Sequence, residues 1–491
     1  MVLGTSSSAG KSLVIAALCR IYARRGVKVA PFKAQNMSNN AGVCADGSEI
    51  GRAQITQAMA AGIEPTPFMN PVLLKPEANV RSQVIVMGKV WHTLPAQDYY
   101  QRKQMLWGYV TEALDTLRAE YDLVIMEGAG SPVELNLKQN DIVNMAMATY
   151  AQAPVLLVGD IDRGGIFPQL LGTLWLLPPE EQKLIAGFII NKFRGDMALF
   201  TDGIKILQEK GNVPVLGVVP WIHDLAIPEE DAAALDGSLA APNEPADIDI
   251  AVIRLPRIAN FDDFDPLAAE SGVQVRYVTS SNQLGKPNAV IIPGTKSTMS
   301  DLAWLRQQGF ADVLLKLAAE ETAVVGICGG YQMLGQTIHD PAQVESNRTE
   351  APGLGLLPLT TTFAGDKATH RAQATILADT GWLADVTGQT VSGYEIHIGR
   401  TTGTAHWLRI DKRSGEDVVV MDGGMEGNGR CWGCYLHGIF ANDNFRRAWL
   451  RSLGHQPDVA ASQQDPFEHL ADIVEAALDM PQLEALLKQA N

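Results

Sequence analysis

Apolar residues along this chain come in short runs that alternate with segments of helical length. Up to about residue 225, the runs rich in β-branched residues are Val27 to Phe32, Leu123 to Met126, Pro154 to Val158, Ile185 to Ile190 and Val213 to Val219. Such runs lack a polar face, so a strand built from one must be covered on both sides. With helices between them they predict a parallel, doubly wound α/β sheet. A further strand is reduced to Met1-Val-Leu before Gly4, as if its first residues were missing. Pro228 to Asp247 is acidic, rich in Ala and Pro and free of periodicity, which predicts a linker. A second α/β series follows at Ile248 to Ile253, Val273 to Thr279, Ala289 to Ile292 and Ala323 to Ile327, then a β-rich stretch with Gly-rich turns over about 353–437. Leu470, Ile473, Val474, Ala477 and Leu478 share one helical face and predict an amphipathic helix packed on the body. The expected division is a first domain over 1–228, a linker over 229–247, a second domain over 248–450 and a helical extension over 451–491.

Composition narrows the function. A chain of 491 residues with 46% hydrophobic and 19% charged residues is an ordinary globular sequence with room for two to four domains. Acidic residues (55) exceed basic ones (39), so the formal charge of −16 repels nucleic acid and anionic membranes. An anionic ligand therefore needs a local site. No apolar run approaches the ~18 residues of a membrane span, and no charged leader precedes the first glycine. A cytoplasmic protein with neither membrane nor nucleic-acid partner is expected, and five cysteines in so long a chain fit a reducing compartment rather than a disulfide framework.

Residues 4–12 read Gly-Thr-Ser-Ser-Ser-Ala-Gly-Lys-Ser, between a strand and the helix-forming stretch Leu13 to Arg25. Gly4 and Gly10 permit tight turning, the backbone N–H groups from Thr5 onward face phosphates, Lys11 adds charge, and the Ser12 hydroxyl suits Mg²⁺. The loop is one residue longer than the common G-x4-G-K-[ST] form, and ATP or a related nucleotide is the expected ligand. Glu127, in Ile-Met-Glu-Gly-Ala-Gly, ends a buried strand at the carboxyl edge of the sheet, where ligands of open α/β sheets bind. Asp46 or Glu49 is a candidate for a second carboxylate. Asn191, after another strand, has an amide able to read a purine edge.

Together, the longer loop, Ala-Pro-Phe-Lys-Ala-Gln-Asn-Met (30–37), Glu127-Gly-Ala-Gly and Asn191 resemble the dethiobiotin synthetase-like ATP-dependent carboxylate ligases. That resemblance implies activation of a carboxylate as an acyl phosphate, with Lys33 neutralising the substrate or migrating phosphate and Glu49 with Glu127 holding Mg²⁺.

A second centre reads Val-Val-Gly-Ile-Cys-Gly-Gly-Tyr-Gln-Met-Leu over 324–334. A strand entering Gly326-x-Cys328-x-Gly330 and then a helix is a nucleophile elbow carrying cysteine, with a helix N-terminus favouring the thiolate and the Gly329 N–H available to an oxyanion. His437, in Tyr-Leu-His-Gly-Ile-Phe, is the candidate base. These runs resemble class I, triad-type glutamine amidotransferases. The resemblance implies a glutamyl thioester, released ammonia and a second oxyanion donor from Ile291-Ile-Pro-Gly-Thr295. Where that class carries Glu two residues after the histidine, this chain has Ile439. A Cys-His dyad or another acid is then expected, with Glu395 and Asp443 as candidates. Cys431-x-x-Cys434 has no second pair beside it and reads as a coincidence on a strand rather than a zinc site.

An ATP site and an ammonia-releasing site in one chain imply ATP-driven amidation with glutamine as nitrogen donor. The order of the two resembles the cobalamin-pathway amidotransferases over nearly the whole chain. Phe32-Lys-Ala-Gln-Asn-Met-Ser, Gly51-Arg-Ala-Gln, Asn70-Pro-Val-Leu-Leu-Lys-Pro, Gly159-Asp-Ile-Asp-Arg-Gly-Gly and Gly393-Tyr-Glu-Ile-His resemble the members that amidate the b, d, e and g carboxylates of adenosylcobyrinic acid a,c-diamide. Gln35 and Asn36, beside Lys33, are then expected to face the corrinoid substrate, and they favour this reading over a sister a,c-diamide synthase. A cell-wall amidotransferase would typically pair with a different ligase domain. A partitioning ATPase switch would carry an extra early lysine, absent between Gly4 and Gly10, and would not explain Cys328.

Overall fold

The computed structural model describes residues 1–77, 81–95, 98–99, 102–222, 227–228, 246–403, 406–456 and 465–489. Residues 229–245 of the expected linker lie outside the described residues.

The first half is built on six parallel strands in the order Val29–Phe32, Leu123–Met126, Val2–Gly4, Val155–Asp160, Ile185–Phe193 and Val215–Pro220. Every residue of Val155–Asp160 is buried, as a strand between helical layers requires. The short first strand is central: Val2 bridges Glu127 on one side, and Val2–Gly4 pairs with Leu156–Val158 on the other. Chain order reverses there, so the loop after Gly4 leaves at the crevice where open α/β sheets bind ligands. Between Val29–Phe32 and Leu123–Met126 the chain inserts a smaller sheet, Gln35–Met37, Val72–Pro76, Arg81–Val86 and Lys89–Pro95. A hairpin, Ala41–Val43 with Glu49–Gly51, leads directly into the helix Arg52–Ala61.

The second half has parallel strands in the order Val273–Val278, Ile248–Ile253, Ala289–Ile292, Ala323–Ile327 and Cys431–Cys434, with Gly424–Met425 antiparallel at the edge. The β-rich stretch forms a separate, largely antiparallel sheet whose long partners are Leu359–Ile376 and Thr390–Gly403. Trp407, Trp432 and Trp449 are fully buried and, with Phe440 and Phe445, fill one end of this core.

After the helix Asp443–Ser452 the chain returns to the first half. The helix Pro466–Ala477 packs Phe467, Leu470, Ala471 and Val474 against Lys11–Arg24, and Asp479 N–H donates to Leu216 O at 2.7 Å beside the edge strand. Arg20 and Arg24 reach Asp465 and Asp472 at 2.7 and 2.6 Å across this contact. Exposed ion pairs contribute about 0–1 kcal/mol each, whereas one buried Leu, Val or Phe contributes about 1.5–3 kcal/mol, so the apolar face holds the helix in place.

Candidate active sites

The loop after Val2–Gly4 enters the helix Lys11–Arg24 through Gly10, whose φ of 93° lies in the left-handed region. A Cβ there would also fall 2.0 Å from Asn191 Nδ2, which donates to Ala9 O at 2.9 Å. Gly4 approaches Lys11 closely, and Lys11 Nζ folds back to donate to Ser6 O at 2.9 Å. Thr5 N–H is fixed on Val158 O at 2.9 Å. The helix N-terminus and its loop thus form a ready anion cradle.

Glu127, 1% exposed, sits at the centre of this end of the sheet. It accepts from Ser12 Oγ at 2.8 Å, Lys33 Nζ at 3.0 Å and Gln57 Nε2 at 2.6 Å, with Gln54 Nε2 at 3.4 Å. Burial alone would raise its pKa, but Lys33 and the bonds from Gln57 and Ser12 outweigh that and hold it below the usual carboxylate range. Ser12 Oγ and the Glu127 carboxylate are adjacent hard oxygens, the donor chemistry Mg²⁺ prefers beside phosphates. Gln35 Oε1 accepts from Tyr99 at 2.5 Å and Asn36 Nδ2 donates to Gln54 Oε1 at 3.2 Å, so Asn36 and Lys33 join the network around Glu127. Asp160, buried at the end of the neighbouring strand, accepts from Lys192 Nζ at 2.9 Å, and Lys192 also donates to Ser8 O.

In the second half, the strand Ala323–Ile327 ends at Cys328, held at φ 52°, ψ −107°, and the helix Gly329–Leu334 begins at once. A Cβ on Gly330 would lie 1.9 Å from Ile292 O, and one on Gly326 would lie 2.7 Å from the Gly330 backbone. Only glycine at both positions lets the turn close, which is what lifts the thiol out of the sheet. His437 lies over Gly294, and the Thr295 nitrogen lies against Gly329. His437 Nδ1 is 2.6 Å from Asp263 Oδ2, and Asp263 Oδ1 accepts from Gly438 N–H at 2.8 Å. Burial would lower the imidazole pKa, but the Asp263 charge, Cys328 and hydrogen bonds to both outweigh it and bring it up to about 10. The Tyr394 ring stacks on the imidazole at 5.2 Å, and the two backbones exchange hydrogen bonds of 3.1 and 2.9 Å.

The two centres meet through one helix. Arg52, first residue of Arg52–Ala61, pairs with Asp262 at 3.0 Å and with the Tyr394 hydroxyl, while Gln54 and Gln57 of the same helix hold Glu127.

Comparison with known proteins agrees with this division. The model of the CobQ/CobB/MinD/ParA nucleotide binding domain matches residues 1–233, and that of the CobB/CobQ-like glutamine amidotransferase domain matches 249–445. The chain is 56% identical to the cobyric acid synthase of Chloroflexus aurantiacus, covering 100% of this chain and 99% of that one. It is equally 56% identical to the cobyric acid synthase of Herpetosiphon aurantiacus (100% and 98% covered) and 46% identical to that of Moorella thermoacetica (99% and 96%). The chain belongs to the cobyric acid synthase family. The cobyric acid synthase fold is accordingly a nucleotide-binding half joined to a glutamine amidotransferase half.

Within this family fold the structure corrects two sequence expectations. Glu49 is not with Ser12 and Glu127: one of its oxygens accepts from Lys75 at 2.8 Å and the other from Lys367, where the halves meet. Burial would raise its pKa, but those lysines bring it down to about 2, and neither oxygen is left for Mg²⁺ at the phosphate loop. Asp46, the other candidate, bonds Ser48. Glu395 and Asp443 are not the acid behind His437, because Glu395 is clamped by Arg413 at 2.7 Å twice and Asp443 pairs with Arg446 at 2.8 Å. Asp263 occupies that place. Asn191 donates one N–H of its amide to the loop carbonyl of Ala9 at 2.9 Å and so supports the phosphate loop. Cys431 and Cys434 are buried on their strand, where burial pushes both thiols up, Cys431 to about 12.

Proposed function

We propose that this chain amidates the b, d, e and g carboxylates of adenosylcobyrinic acid a,c-diamide, using one ATP and one glutamine for each, in cobalamin biosynthesis in the cytoplasm. The observation that carries the reading is the coexistence of a Cys328–His437–Asp263 triad with a phosphate loop whose Ser12 meets Glu127. No helix among the described residues is long and apolar enough to cross a membrane.

At the second-half site the Cys328 thiolate attacks the side-chain amide carbon of glutamine. Gly329 and Thr295 N–H groups stabilise the oxyanion, and His437, oriented by Asp263, donates a proton to the departing ammonia. Water then hydrolyses the glutamyl thioester to glutamate. At the first-half site the loop amides and Lys11 hold the nucleotide phosphates, and Lys33 neutralises charge as the γ-phosphoryl group passes to a substrate carboxylate. Ser12 and Glu127 would hold Mg²⁺, which would supply further neutralisation of that charge. Ammonia attacks the acyl carbon and phosphate leaves, which gives the amide. Gln35 and Asn36 face the corrinoid in this reading, from the strand Gln35–Met37 next to Lys33.

The test is incubation with ATP, glutamine and the corrinoid a,c-diamide, followed by mass spectrometry. Four successive acid-to-amide mass shifts are expected. A chain that instead converts the unamidated corrinoid and stops at the a,c-diamide is the sister synthase, and consumption of ATP without any amide product contradicts the assignment.

A further inference from the structure

A pocket of about 560 Å³, its open mouth included, has Cys328 and His437 in its wall. The remaining wall carries an uneven set of charges. Lys75 and Lys367 both line it, and both donate to the same carboxylate, that of Glu49, with Lys367 donating also to Gln83 Oε1 at 3.1 Å. A third lysine in the wall, Lys296, is matched by Glu77 at 2.9 Å. One positive charge is left in surplus in a site shielded from water, and an unmatched buried charge is costly. Lys367 registers the cost: burial, with repulsion from Lys75 and Lys296, outweighs Glu49 and brings its ammonium down to about 7.

The opposite deficit lies in the same wall. The Glu345 carboxylate accepts only from the backbone at the start of the helix Thr298–Gln307, with Met299 N–H at 3.2 and 3.3 Å, and among the described residues no lysine or arginine pairs with it. Burial pushes it up to about 8. A pocket that needs one anion and one cation, with a nucleophilic thiol in its wall, is complementary to an α-amino acid whose side chain ends in the scissile group.

We propose that Lys75 and Lys367 receive the α-carboxylate of glutamine and Glu345 its α-ammonium, with the side-chain amide directed at Cys328. This rests on the glutaminase reading above and extends it in one respect. Lys75 stands on Val72–Pro76 and Glu49 on Glu49–Gly51, both in the nucleotide-binding half, so the glutamine pocket is completed by the partner half and is unfinished when the halves are apart. Glu49 then organises the two lysines around the ligand.

The test compares hydrolysis of glutamine with that of its α-carboxamide, which keeps the ammonium and loses the carboxylate charge. Wild-type protein is expected to prefer glutamine by about 10- to 100-fold in kcat/KM, the range for a charged hydrogen bond. Lys367→Met is expected to abolish that preference by raising KM for glutamine alone, and Lys367→Arg to keep most of it. N-acetylglutamine, which lacks the ammonium, probes the other end against Glu345→Gln in the same way. A wild-type enzyme that accepts both compounds equally overturns the proposal without any variant, and so does a Lys367→Met protein, folded by its thermal midpoint, that keeps the preference. Wild-type protein that hydrolyses neither compound refutes the glutaminase reading itself, a separate and visible outcome.

Discussion

His437 Nδ1 and Asp263 Oδ2 lie 2.6 Å apart although 174 positions separate them in the chain. The carboxylate that orients the imidazole comes from the segment just after the first strand of the second half. Asp263→Asn is expected to lower glutamine hydrolysis by about two to four orders of magnitude. Removing the Asp263 charge takes away what holds His437 up at about 10, so its pKa falls and the alkaline limb of kcat/KM for glutamine moves to lower pH. An alkaline limb that stays in place would remove Asp263 from this role.

The two chemistries are separable. Cys328→Ala is expected to abolish glutamine-dependent amidation while ammonia-supported amidation persists, and Lys11→Ala to abolish both. Assays with glutamine and with ammonium salt on each variant decide this, and loss of both activities in Cys328→Ala contradicts two independent centres.

Arg52 joins them. Its guanidinium pairs with Asp262 next to Asp263, and its removal leaves a buried carboxylate whose pKa burial already raises. Breaking a buried pair from one side costs about 3–5 kcal/mol, so Arg52→Ala should melt early. It should also reduce the ratio of glutamine-driven to ammonia-driven turnover by about tenfold, with Arg52→Lys recovering part of that ratio. An unchanged ratio would make the pair purely structural.

The elbow tolerates no side chain at Gly330. Alanine there places a methyl carbon against Ile292 O, and the forced shift should cost about 1–3 kcal/mol and misplace Cys328. Denaturant unfolding reads the first effect, and the rate of thiol alkylation at Cys328 reads the second.

Glu345 gives a pH dependence of stability. Its folded pKa, about 8, stands above its ordinary value of 4.5, so the protonated carboxyl is favoured in the folded chain. The stability it contributes is complete below about pH 4.5 and is lost as pH rises toward 8. Glu345→Gln, which cannot ionise, should therefore gain thermal midpoint over wild type at pH 8 relative to pH 5. A difference constant with pH would contradict this.

Strands were legible wherever apolar runs had no polar face: Leu123–Met126, Ile248–Ile253, Ala289–Ile292 and Ala323–Ile327 fall on the predicted residues. The phosphate loop and the elbow were legible because each packs its chemistry into about ten consecutive residues. Asp263 was not, since Phe-Asp-Asp-Phe carries no spacing signal and its partner is set only by tertiary packing. The same holds for Arg52, Gln57, Lys75 and Lys367, whose partners all lie far off in sequence. Glu49 was misread for a related reason: its partners are Lys75, on a separate strand of its own half, and Lys367, across the junction of the halves.

The return of Pro466–Ala477 to the helix Lys11–Arg24 makes the amidotransferase half an insertion, flanked on both sides by chain that belongs to the other half. Severing the polypeptide near residue 247 would therefore not yield two complementary pieces, because the upstream fragment would lack the apolar cover that Pro466–Ala477 gives the helix Lys11–Arg24. Exchange of amidotransferase modules between relatives requires two crossover points, one before Ile248 and one after Gln456, with the terminal helices retained from the recipient.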